Sequence, residues 1–143
     1  MAGDSIDVSS VSGIVETCIN VAEMHRALKF YQSLFRFEVL ESDERFCAFR
    51  VGNDVLLLFL EGGTEKPVTI AGGVIPPHQS LGAGHFAFAI AAESLDAWRV
   101  RLTQHNIELE SEVHWERGGT SLYFRDPDNN LLELVTPGTW ANY

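Results

Sequence analysis

Hydrophobic and polar positions alternate at the start of the patterned part of the chain. Val15, Thr17, Ile19 and Val21 interleave with Glu16, Cys18 and Asn20, which predicts a half-buried strand over 13–21. The period then changes. Met24, Ala27, Leu28, Tyr31, Leu34 and Phe35 recur at helical spacing, so a helix is predicted over 23–35, with His25 off its apolar stripe. Strands at 37–41, 45–51 and 55–61 follow, separated by the turn formers Ser42-Asp43-Glu44 and Gly52-Asn53-Asp54. The run from Val55 to Leu60 is apolar on both faces, as a covered central strand requires.

Residues 62–84, rich in Gly and Pro, carry no period, and loops of that length usually link or function. The order of elements then returns. A strand is predicted over 83–91. A helix over 94–105 follows, with Leu95, Trp98 and Leu102 on one side, Ser94 as N-cap and Asn106 beyond its end. Strands over 107–115, 120–125 and 131–135 complete the set. Element order repeats while sequence does not. Two βαβββ modules, 13–61 and 83–137, are implied, joined by a crossover linker at 62–82 and flanked by tails at 1–12 and 138–143. Neither module covers its own curved sheet, so the two pack side by side in an α+β fold.

Composition narrows the partners. The 143 residues are 45% hydrophobic and 21% charged, ordinary for a soluble globular protein. A net charge of −10 gives an acidic surface that repels nucleic acid and anionic membranes, which excludes both as main partners. No apolar run approaches the roughly 18 residues of a membrane span, and the N-terminus lacks the pattern of a signal peptide. Cys18 and Cys47 form no metal or redox motif and read as reduced thiols of a cytoplasmic protein.

Three polar residues stand out against this background. Glu133 interrupts Leu131, Leu132, Leu134 and Val135, where a carboxylate is costly unless it is paired, metal-bound or turned outward on an edge strand. His85 shares a strand face with the small residues Ala87 and Ala89, which leave room beside an imidazole; a satisfied structural histidine fits as well. Glu16 is presented by the polar face of the first strand. Between the last two strands, Pro127, Asn129 and Asn130 mark a tight turn.

That turn carries a resemblance. Tyr123-Phe124-Arg125-Asp126-Pro127-Asp128-Asn129-Asn130-Leu131-Leu132-Glu133-Leu134 resembles the closing hairpin of the vicinal oxygen chelate superfamily, which includes glyoxalase I, bleomycin- and fosfomycin-resistance proteins, extradiol dioxygenases and methylmalonyl-CoA epimerase. Asn129 stands where that pattern usually has Gly, a mild departure because Asn accepts the left-handed region. The resemblance extends over residues 13–137. It implies paired βαβββ modules forming a curved, partly open mixed β-sheet barrel.

It also implies a metal site. His85 and Glu133 fall on metal-binding positions of the second module, and Glu16 on a first-module position more often held by His or Gln. One imidazole and two carboxylates suit a divalent ion such as Fe(II), Mn, Zn, Ni or Co. The fourth position, a Glu in glyoxalase I, falls on Leu57, which cannot coordinate and counts against that enzyme. Tyr123 matches the spacing of a pocket tyrosine in extradiol dioxygenases, and it equally reads as a cap on a hydrophobic edge. His78 does not match their catalytic His spacing and reads as a solvent-exposed loop residue. Arg50 and Arg125 read as surface ion pairs.

The implied function is a metal-dependent enzyme acting on a small substrate chelated through vicinal oxygens, by dioxygenase-like or lyase/isomerase chemistry, with a slight lean to the first. A metal-free protein that binds an antibiotic-like molecule is the alternative, and a purely structural polar cluster is a third. The resemblance further implies a homodimer. Trp115 suits a pocket rim or a subunit contact, and Trp140 the chain's own core.

Overall fold

A computed structural model of the chain describes residues 13–80 and 82–143. The N-terminal tail at 1–12 lies outside the described residues. The first half contributes β1 (Glu16–Val21), α1 (Met24–Phe35), β2 (Glu38–Ser42), β3 (Phe46–Val51) and β4 (Asp54–Leu60). A short hairpin follows, β5 (Val68–Ile70) and β6 (Gly73–Ile75). The second half contributes β7 (His85–Ala89), α2 (Leu95–Gln104), β8 (Ser111–His114), β9 (Thr120–Arg125) and β10 (Leu131–Val135). The two four-stranded sheets have the matching orders β1-β4-β3-β2 and β7-β10-β9-β8. In each, the first two strands run parallel and the remaining pairs antiparallel. The architecture is therefore α+β, with mixed, open sheets rather than a closed barrel.

Alternation decides which face each sheet buries. Ile19, Val21, Cys47, Phe49, Leu56 and Leu58 of the first sheet join Leu122, Phe124, Leu132 and Leu134 of the second in one core. Helix α1 inserts Ala27, Tyr31 and Leu34 into it. Burying a side chain the size of Phe49 contributes about 1.5–3 kcal/mol. Phe35, in the last turn of α1, stacks on Phe37 and packs on Phe88, each at 4.8 Å between ring centres, so it joins the two halves. Arg101 donates to the carbonyls of Leu34 (2.6 Å) and Ser33 (3.0 Å), placing a cation at the negative end of α1. The opposite faces of both sheets are left uncovered by the helices. Among the described residues, no helix is long and apolar enough to cross a membrane.

Two features depart from the sequence pattern. The Gly- and Pro-rich crossover contains β5 and β6, whose three-residue strands are too short to register as a period. Trp140 does not dock in the core; it is 71% exposed. The tail turns back at Gly138, whose backbone lies so close to Gly119 that a Cβ on Gly119 would stand 2.8 Å from the Gly138 carbonyl carbon. Only glycine permits that crossing. It presents Tyr143 rather than Trp140 to the sheet, and the Tyr143 hydroxyl donates to the Val135 carbonyl at 2.8 Å.

Candidate metal centre

The turn between β9 and β10 builds the site from below. Asp126 is buried, and its Oδ1 accepts from the amides of Asp128 (2.9 Å) and Asn130 (2.8 Å). Its Oδ2 accepts from Tyr31 Oη (2.8 Å) and Asn130 Nδ2 (2.9 Å). Asn129 takes the left-handed conformation at φ 65°, so it does serve where the family pattern has Gly. Asn130 Oδ1 then accepts the amide of Gly84 at 2.7 Å, which fixes the entry to β7 and the residue after it, His85.

Register does the rest. Strand β10 lies between β7 and β9, with Leu131 opposite His85, Glu133 opposite Ala87, and Glu133 also opposite Tyr123. Glu133 therefore occupies a central strand, which removes the outward edge-strand reading. It is 6% exposed. Its Oε2 accepts from Ser121 Oγ at 2.5 Å, and Ser121 Oγ accepts from the Trp115 indole N–H at 2.8 Å. Its Oε1 stands 3.3 Å from His85 Nε2.

The His85 ring makes a second contact, and that contact sets its tautomer. Nδ1 lies 2.8 Å from the Leu131 carbonyl oxygen, which can only accept, so Nδ1 carries the proton. In the neutral ring Nε2 is then a lone pair aimed at a carboxylate oxygen. Two acceptors at 3.3 Å repel unless a cation lies between them. A proton would serve, and so would a metal ion. Two donor atoms each about 2.1 Å from one ion stand roughly 3.0–3.4 Å apart, so the observed separation fits shared ligation. A ligating histidine usually donates its other N–H to a carbonyl or carboxylate, as His85 does here.

Of the residues singled out in the sequence, the structure brings His85, Glu133 and Tyr123 together. The Tyr123 and His85 ring centres are 6.2 Å apart. Burial, and then the nearby charge of Glu133, push the Tyr123 phenol above its usual range, so it remains a donor at neutral pH. Glu16 is not gathered in. It is exposed at the start of β1, and no group of three His, Cys, Asp or Glu side chains poised for a metal occurs among the described residues. Its face-mates come closer: Cys18 and Asn20 line a cavity of about 170 Å³ together with His85. Leu57 lies opposite Cys18 on that face. Arg50 and Arg125 are engaged with Glu38 and Glu110, each at 2.8 Å.

Ser121 and Trp115 hold the carboxylate, and their role was not visible in the sequence. Ser121 shares a face with Tyr123, but its reach to Glu133 follows only from the β9–β10 register.

Known proteins give this geometry a setting. A profile of the Glyoxalase/Bleomycin resistance protein/Dioxygenase superfamily matches residues 13–134. The metallothiol transferase FosB of Shouchella clausii is 33% identical over 135 residues, 92% of this chain and 84% of that protein. The catechol-2,3-dioxygenase of Bacillus subtilis is 28% identical over 85% of this chain, which spans 41% of the dioxygenase. The crystal structure of lactoylglutathione lyase from Agrobacterium tumefaciens superposes with a TM-score of 0.82 at 30% identity, covering 91% of this chain and 97% of that one. These relatives are enzymes by name. The chain belongs to the glyoxalase/bleomycin resistance protein/dioxygenase superfamily.

Proposed function

We propose that this chain is a divalent-metal-dependent enzyme acting on a small substrate chelated through vicinal oxygens. The observation that carries the reading is the His85 Nε2 lone pair facing the Glu133 carboxylate at 3.3 Å, with Nδ1 already committed to Leu131. His85 and Glu133 would hold the ion. Glu16 would complete the set from β1, where its face-mates Cys18 and Asn20 already share a cavity with His85. A bound divalent ion supplies Lewis acidity toward substrate oxygens.

The chain's own residues do the remaining work. Ser121, held by Trp115, fixes one Glu133 oxygen and leaves the other free. Tyr123, kept protonated, can donate a hydrogen bond to a substrate oxygen beside His85. Leu57 and Phe59 add apolar side chains to the first sheet's open face, opposite Cys18 and Asn20. Relatives of matching length favour transferase or lyase chemistry over the dioxygenase-like lean from sequence: FosB is 84% spanned and the lyase 97%, against 41% for the dioxygenase. The lyase resemblance concerns the chain as a whole, and Leu57 still differs from the glyoxalase I ligand set.

A homodimer belongs to the same proposal. Ile14 and Val15 before β1, and Ile70, Val74 and Ile75 around β5–β6, are exposed apolar side chains that a second copy would cover. Sedimentation of the purified chain tests that part. The enzymatic part is tested by loading the protein with Mn(II), Fe(II), Ni(II) or Zn(II) and screening fosfomycin with low-molecular-weight thiols, S-lactoylglutathione and catechol. Turnover with any of them, lost in His85→Ala, supports the reading. Tight binding by metal-free protein without turnover would favour the sequestering alternative.

A further inference from the structure

Residue His78, in the crossover between the two halves, is exposed but not loosely placed. Its amide donates to the Thr64 carbonyl at 3.0 Å, and Thr64 Oγ1 donates back to the His78 carbonyl at 2.5 Å. These bonds close the base of the loop that carries β5 and β6. Both use the backbone of His78 and leave its imidazole nitrogens out of the anchoring. The ring is placed by packing edge-on against Phe59, 4.7 Å between centres and 71° between planes.

Phe59 gives that packing its meaning. It lies directly opposite Asn20 in the β1–β4 ladder, on the face that also carries Glu16 and Cys18. Asn20 lines the cavity shared with His85, and its amide donates to the Ser80 carbonyl at 3.0 Å. Ser80, two residues beyond His78, lines the same cavity. Gly82, Gly84 and His85 line it as well. The His78 ring thus packs on the residue whose ladder partner, Asn20, lines the space into which His85 opens.

We propose that His78 is a substrate-contacting residue of this site, donating a ring N–H to an oxygen of the ligand chelated beside His85 and Glu133. The proposal rests on the metal reading above. An imidazole suits the task because its ring N–H can donate to an oxygen while the residue is placed by its own backbone rather than by the ligand. The competing role is a cover over Phe59, for which the ring edge alone would suffice.

The test separates the two. Mn(II)-loaded protein is titrated calorimetrically with acetohydroxamate, a small chelator through adjacent oxygens, using wild type, His78→Phe and His78→Gln. Phe keeps an aromatic edge on Phe59 and removes the nitrogens; Gln restores an N–H donor. His78→Phe is expected to weaken hydroxamate binding roughly tenfold at unchanged manganese content, with His78→Gln recovering most of the loss. Equal affinity of His78→Phe and wild type, with manganese retained, overturns the proposal and leaves the metal reading intact. Absence of manganese uptake by wild type removes the metal reading and this inference with it. A second measurement needs no chelator. Mn(II) is expected to broaden the His78 ring resonances together with those of His85, while His25 and His105 on the helical side stay sharp. A His78 as sharp as His25 contradicts the placement.

Discussion

Strand β10 turns Glu133 to the open face of the second sheet, and the matching strand of the first sheet, β4, turns Leu57. The ladders make the match explicit. His85 and Ala87 of β7 lie opposite Leu131 and Glu133; Glu16 and Cys18 of β1 lie opposite Val55 and Leu57. The second half thus sets an imidazole diagonal to a carboxylate within one sheet, and a serine from the third strand locks that carboxylate. The first half sets a lone carboxylate diagonal to a hydrocarbon. Duplicated strand order does not duplicate chemistry. One module can assemble a pair of ligands by register alone, whereas its counterpart can lend only a single donor and apolar side chains.

Making the second half resemble the first is expected to have the largest effect. Glu133→Leu should abolish metal uptake altogether, read by elemental analysis on protein whose circular dichroism is unchanged. Ser121→Ala leaves the ligands in place and removes the lock on Oε2. Metal affinity should fall roughly 10- to 100-fold, the usual consequence of losing a second-layer partner, as measured by competition with a chromophoric chelator. Making the first half resemble the second runs the other way. Leu57→Glu should lower the stability of metal-free protein by about 2 kcal/mol, because a half-buried carboxylate gains no partner there. Added Mn(II) should restore part of that loss in urea titrations if Glu16 and the new carboxylate share an ion. No restoration would place Glu16 outside the site.

Much of the fold was legible, and the reason is periodicity. The 13–21 alternation and the 23–35 helical stripe survive as β1 and α1 because each buries a face that its sequence already made apolar. His85 and Glu133 stood out as polar groups set in apolar strands, but those strands alone fitted a structural histidine and an edge carboxylate equally. The family resemblance singled the two out, and the register then brought them together. Ser121 and Trp115 were not legible, because a cross-strand contact depends on register, and a strand's own residues state its faces without stating its neighbour's offset. Glu16 is the intermediate case: it shares a face with Cys18 and Asn20, but it is not brought to the pair. Trp140 failed differently, since the Gly119–Gly138 crossing, a backbone event, decides which aromatic meets the sheet.

The smallest expected effect concerns the turn that holds β7 in place. Tyr31→Phe deletes the hydroxyl bonded to Asp126 and should cost about 1.5 kcal/mol at neutral pH, by urea denaturation. Burial, reinforced by Asp126, raises the Tyr31 phenol well above its ordinary value near 10. Its contribution is therefore present below pH 10. As pH rises beyond that, the unfolded chain releases the proton while the folded chain keeps it, so stability falls by up to about 1.4 kcal/mol per pH unit. The Phe variant should lose this alkaline slope. An identical slope in both proteins would assign it to other groups, such as the Cys47 thiol, which burial pushes up to about 11.

Metal stoichiometry tests the central claim most directly, and it needs no substrate. Wild type, His85→Ala and Glu133→Gln are loaded with Mn(II), desalted and analysed for bound metal, with folding checked by circular dichroism. The His85–Glu133 geometry calls for about one ion per chain in wild type and none in either folded variant. An empty wild type after loading, or an ion retained in both variants, would contradict it.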